Sequence, residues 1–175
     1  MDSEALRQLQ APLKARYKQE PGAARVTLRA RGRVFQSSLS CQLETGQPGV
    51  AAGLHPATGG DGSWACSGDR LLEALVSCAG VTLAAVATAM GIELAGAAVT
   101  AEGEVDFRGT LGVAKGVPVG FETLRLVFDL QSDATSEQLA KLIELSERYC
   151  VVMQTLAKPP HIEVRTAAPS GHTGG

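Results

Sequence analysis

Aromatic side chains are scarce in this chain: one Trp, two Tyr and four Phe among 175 residues. So few rings cannot build the stacking platform that reads single-stranded nucleic acid. An excess of one charge is also missing, since 16 Lys and Arg stand against 18 Asp and Glu, a net of −2. No basic field exists to hold a phosphate backbone, and no nucleic-acid partner is expected. The four cysteines, at positions 41, 66, 78 and 150, form no C-x-x-C. No Cys/His pair has zinc-finger spacing, so no structural metal site is expected. The Gly-Gly-Asp-Gly run at 59–62 lacks the Gly-Lys-Ser/Thr that would make it a phosphate loop. The start, Met1-Asp2-Ser3-Glu4, lacks the charged-then-apolar pattern of a secretion signal. One apolar run, Leu71 to Met90, is long enough to ask about a membrane. It contains Glu73, Ser77, Gly80, Thr82 and Thr88, and no aromatic belt flanks it. It reads as the buried helix of a soluble, cytoplasmic protein with no membrane partner, where thiols stay reduced.

What the chain does have is small apolar residues: 45% of it is hydrophobic and 19% charged, the balance of one globular domain with a buried core. Glu4 to Lys18 repeats Leu at helical spacing, with a kink expected at Pro12. Arg25 to Gln36 alternates as a half-exposed strand, and Ser37 to Leu43 reads as its partner. Glu44 to Gly68 is a long Gly-rich loop, read as a flexible lid. Asp69 to Met90 is one helix closed by Gly91; Arg70, Glu73 and Ser77 give its first turns a wet side, and beyond Ser77 it is apolar all round. Strands are expected at Ala97–Phe107 and Phe121–Leu130. A capping box at Thr135-Ser136-Glu137-Gln138 opens a helix running to about Leu156, before Pro159-Pro160. A last strand is expected from His161 to Thr166. The order gives an α+β fold with an antiparallel sheet. Residues 1–24 form a helical arm, 25–166 the domain, and 167–175 a disordered polar tail.

Dispersed cysteines in a reduced chain are by default small core residues. Position adds a second reading. Cys78 lies nine residues into the buried helix, on the side of Leu71, Leu75, Thr82 and Ala85, and Cys150 lies on the apolar stripe of the second long helix. Two helices on one sheet can bring them together, so periodicity leaves both a core-thiol and a redox-pair reading open.

Three blocks carry a resemblance: Asp69-Arg70-Leu71-Leu72-Glu73-Ala74-Leu75-Val76-Ser77-Cys78-Ala79-Gly80, Glu104-Val105-Asp106-Phe107-Arg108-Gly109-Thr110-Leu111-Gly112, and Glu147-Arg148-Tyr149-Cys150-Val151-Val152-Met153. In this order they resemble the OsmC/Ohr superfamily, the osmotically inducible and organic-hydroperoxide-resistance proteins, over roughly residues 25 to 166. The resemblance implies an intertwined homodimer with the sheet packed on two long central helices and sites at the subunit interface. It implies a stress-defence peroxidase that reduces organic hydroperoxides with a small dithiol or lipoyl-type thiol as reductant, and no bound cofactor. Cys78 matches the peroxidatic cysteine and Cys150 the resolving one. Burial raises a thiol's pKa, so a cation must offset it. The family uses an Arg from an early strand and an acid before the cysteine helix. Arg31 is the first choice here, with Arg33 and Arg29 as alternatives, and Asp69 stands where many members carry Glu. Asp69 also reads as a helix-capping acid. Cys41 and Cys66 read as packing residues, with a redox role for Cys66 as the alternative; His55 reads as exposed or site-lining, and His161 has no ligand partner spacing. The rival functions are a non-catalytic binding protein on the same fold and a thiol-based oxidant sensor.

Overall fold

The computed structural model describes residues 3–36, 40–43 and 52–165. Four antiparallel strands form one sheet in the order β2-β1-β3-β4: β1 Arg25–Phe35, β2 Ser40–Leu43, β3 Gly96–Asp106 and β4 Phe121–Gln131. The α+β reading with an antiparallel sheet holds. Period-2 alternation decides the faces. Val99, Ala101 and Val105 of β3 are buried, while Arg31 and Arg33 of β1 are exposed and flank the buried Gly32. Register places Arg33 opposite Ala98, and Ala98 opposite Asp129. The inner face thus carries Val, Ala and Leu, and the outer face carries the charges.

On the inner face lies α2, Ser67–Met90, a 24-residue helix that closes at Gly91 in the left-handed region (φ 67°), where a side chain would be strained. It starts two residues earlier than the sequence pattern suggests. Cys66 is its N-cap, with Asp69 completing a reciprocal capping box. Two turns on, Glu73 is not on a wet side: it is only 6% exposed and is neutralised by Arg70 at 2.7 Å. Beyond Ser77 the helix is not covered all round either, because Val81 and Ala85 remain exposed. By length and composition alone α2 is apolar enough to cross a membrane; half of that window is buried inside the chain.

The second long helix packs on α2, with Leu142 and Leu139 in the main core cluster, but it is broken. α4, Ser136–Tyr149, opens on the expected Thr135/Gln138 capping box, and α5, Val151–Ala157, follows it. Cys150 separates them in an extended conformation, φ −73° and ψ 106°. The remaining differences are local. α1, Ser3–Gln19, runs through Pro12 as one helix, and its Leu13 and Tyr17 pack against Val105, Phe107 and Leu111 in a second core cluster. A four-residue helix α3, Phe107–Thr110, follows β3. Residues 161–165 form no strand; their apolar Ile162 and Val164 are exposed, and no described strand pairs with them. Of the Gly-rich loop, 44–51 lie outside the described residues, as does the tail 167–175. The described part is pinned: Tyr17 Oη donates to the Ala57 carbonyl at 2.7 Å, and Gly53 N–H donates to the Ala65 carbonyl at 3.0 Å. A Cβ at Gly60 would stand 1.8 Å from the Leu54 carbonyl oxygen, so this glycine serves close packing and not freedom.

Candidate functional site

Where α2 passes the α4–α5 junction, two thiols meet. Cys150 is fully buried and serves two helices at once. Its N–H donates to the Ser146 carbonyl at 3.0 Å, closing α4, and its Sγ accepts the Met153 N–H at 3.5 Å, capping α5. Cys78, half-buried on α2, faces this cap, close enough to Cys150 for each thiol to shift the other's ionisation.

Their surroundings push them in opposite directions. Burial raises the Cys78 pKa, but the backbone N–H of Val152, the Cys150 thiol, the Val151 N–H and the Thr82 hydroxyl together outweigh it and hold Cys78 below its ordinary value. These groups favour the thiolate because the positive ends of their dipoles lie toward it, although the Thr82 hydroxyl donates its proton to the Cys78 carbonyl at 2.8 Å. Cys150 is pushed up to about 11, first by burial and then by its neighbour Cys78, against the lowering effect of the Met153 N–H. Of the two, Cys150 is thus the thiol that keeps its proton and Cys78 the one that gives it up first. Such an arrangement supplies a nucleophilic sulfur beside a protonated partner that can form a disulfide with it.

The family model for OsmC-like proteins matches residues 60–165. The chain belongs to the OsmC-like family. Among solved structures, an OsmC-like hydroperoxide resistance protein from Jannaschia sp. CCS1 matches with a TM-score of 0.61 at 17% identity, covering 85% of this chain and 97% of that one. At that identity the likeness is one of fold. No curated protein matches the chain.

Within this OsmC-like chain the expected site residues separate. Cys78 and Cys150 come together. Arg31 and Arg33 do not join them: both lie on the outer face of the sheet, with the sheet between them and α2. The alternation of β1 forces this, because turning Arg31 inward would expose Gly32 and Val34. The Arg29 and Cys41 side chains lie outside the described ones. Asp69 is nine residues before Cys78, about 13 Å along the helix axis. Its Oδ2 accepts the Cys66 N–H at 2.9 Å, so in this chain it is the helix-capping acid. The donors that do act on Cys78 are backbone groups of α5, and sequence reasoning missed them. The only trace in the sequence is the β-branched pair Val151-Val152 directly after the cysteine.

Cys66 is a buried cap whose thiol burial pushes up, with Asp69 acting in both directions. His55 caps the short 3-10 turn Pro56–Thr58 and stacks on Phe107, ring centres 4.9 Å apart. His161 is exposed. Among the described residues no group of three His, Cys, Asp or Glu side chains is placed to hold a metal ion.

Proposed function

We propose that this protein is a thiol peroxidase that reduces organic hydroperoxides, with Cys78 as nucleophile and Cys150 as resolving thiol. The observation that carries the reading is the nearness of the two thiols, each shifting the other's ionisation, together with their opposed pKa directions. Family membership supports it.

The Cys78 thiolate attacks the terminal peroxide oxygen, the O–O bond breaks, and the alkoxide leaves. A proton reaches the alkoxide, for which the Cys150 S–H is the adjacent donor, and Cys78 becomes a sulfenic acid. Cys150 sulfur then attacks the sulfenic sulfur, hydroxide leaves as water with one proton, and the disulfide closes. A small dithiol or lipoyl-type reductant opens it by two exchanges. The sum is one hydroperoxide and one dithiol giving alcohol, water and oxidised dithiol. A cytoplasmic setting, where such reductants are kept reduced, completes the reading.

The working form is a homodimer. Leu71, Ala74, Val81 and Ala85 lie on α2 at helical spacing around Cys78, and Leu71, Ala74, Val81 and Ala85 are exposed. Exposed Tyr149 and Val151 flank the same thiol pair. A second copy covering this stripe would exclude water from the thiols.

Steady-state reduction of tert-butyl and cumene hydroperoxide with a dithiol tests the activity. Turnover abolished in Cys78→Ser is expected; turnover retained in that variant contradicts the assignment.

A further inference from the structure

A cavity of about 390 Å³ opens at the N-terminal end of α2, walled by residues 53–58, the first turn of α2, the end of β3 and the segment 119–121. Neither Cys78 nor Cys150 lines it. It sits at a seam: Cys66 belongs to the core cluster under the sheet, Phe107 to the cluster under α1, and Phe121 packs against both. Leu54, Leu71 and Val119 line it and are exposed in the single chain, Leu71 being also the end of the α2 stripe proposed to meet the second copy, so the opening keeps Leu54 and Val119 as its free apolar rim.

The walls are fixed. Gln10 and Tyr17 of α1 donate to the carbonyls of Thr58 and Ala57 at 3.2 and 2.7 Å. A Cβ on Gly103 would stand 2.3 Å from the Phe121 ring, so that ring lies flat over a residue with no side chain. Most polar groups in the lining are already used. Thr58 hydroxyl donates to the His55 carbonyl at 2.9 Å, and Cys66 Sγ accepts the Asp69 N–H at 3.4 Å.

His55 differs. Its Nδ1 accepts the Ala57 N–H at 3.0 Å, so the neutral ring carries its proton on Nε2. Burial holds its pKa below the ordinary value, against the pull of Asp69, and the ring is stacked on Phe107. No described residue accepts a bond from Nε2. A fixed N–H donor among apolar walls is the make-up of a small-molecule site. The volume is more than twice the roughly 150 Å³ that takes up benzene, so it suits a fused bicycle or a ring with a short chain.

We propose that this cavity binds an uncharged, mostly apolar small molecule with one hydrogen-bond acceptor, oriented by His55 Nε2–H. The site is separate from the thiol pair and does not depend on the peroxidase reading. The single Trp stands beside it, Trp64 Cβ lying 3.0 Å from where a Cβ on Gly53 would be, and provides a native reporter.

Reduced protein, without hydroperoxide, is titrated with 2-acetylnaphthalene and with 2-ethylnaphthalene, reading Trp64 emission and the amide signals of Gly53, Gly68 and Gly120. Saturable shifts are expected. Leu54→Arg, at a position 46% exposed, should weaken both probes at least tenfold by placing a charge at the opening. His55→Asn keeps a cap acceptor where Nδ1 stood but leaves no donor at the Nε2 position, its NH2 standing where Cδ2 stood; it should weaken the ketone about tenfold and leave the hydrocarbon unchanged, the worth of one hydrogen bond. Shifts that do not saturate, shifts that survive Leu54→Arg, or equal effects of His55→Asn on both probes would overturn the proposal.

Discussion

Replacing Cys150 by Ala and by Ser separates the three roles the structure gives its sulfur. Ala removes all three: the cap on Met153 N–H, the thiol that lowers the Cys78 pKa, and a sulfur atom at a site with no solvent exposure. Losing an N-cap costs about 1 kcal/mol, and the small buried void adds roughly 1 kcal/mol. The sum, about 2 kcal/mol, lowers Tm by about 4–8 °C for a chain of this size. Ser keeps the volume, the cap and a donor beside Cys78, so Cys150→Ser should stay within about 1 kcal/mol of the parent. Melting curves at one protein concentration under a phosphine reductant give the comparison. Iodoacetamide labelling at pH 7, followed by peptide mass spectrometry, reads Cys78 in the same samples: slower in Cys150→Ala, close to the parent rate in Cys150→Ser. Equal stability of the two variants would refute the capping role. Unchanged Cys78 labelling in Cys150→Ala would refute the lowering of Cys78 by Cys150.

The pH dependence follows from the same pair. An unfolded Cys150 ionises near 9.0 but the folded one near about 11, so between those values the unfolded state binds fewer protons and stability falls as pH rises. Cys66 and Tyr17, both raised by burial, act in the same direction; urea unfolding under reductant at pH 8, 9, 10 and 11 should show a declining stability that flattens in Cys150→Ser. Cys78 has the opposite sign: its depressed pKa gives a contribution that grows as pH rises through the folded value, is fully present above the unfolded one, and is lost as pH falls. At the acid end, Asp106 is buried, accepts Arg108 N–H and Nε–H at 3.0 Å each, and is held below the usual carboxylate range chiefly by that guanidinium. Its contribution is present above the unfolded Asp value and is lost as pH falls through the folded one, so Arg108→Ala should move the acid unfolding midpoint to higher pH. In sedimentation equilibrium a dimer is expected at micromolar concentration, and Val81→Glu on the exposed stripe of α2 should yield monomer; a folded parent monomer would contradict the dimer.

Periodicity made much of the fold legible. The alternation of Val26 with Thr27 and of Leu124 with Arg125, the Thr135/Gln138 box and Gly91 all placed elements close to where they stand. It misled where tertiary contacts override local pattern. Glu73 looked solvated because it is charged, yet pairing with Arg70 lets it be buried. The stripe from Leu139 to Leu156 read as one helix because no Pro or Gly interrupts it; the break at Cys150 comes from a thiol acting as a cap, which no residue pattern announces. Ile162 and Val164 alternate as a strand does, but a strand forms only where an edge receives it. For the site, the family blocks pointed to both cysteines, whereas Arg31 depended on which face of β1 turned inward. Gly32 and Val34 decided that against it within one chain.

The most direct test of the account is mass spectrometry of the intact and digested protein after one equivalent of cumene hydroperoxide per thiol pair, without added reductant. The account predicts loss of two hydrogens and a single cross-linked peptide joining Cys78 to Cys150, with Cys66 still free. Absence of that cross-link, with Cys78 left as an unreacted thiol, would contradict it.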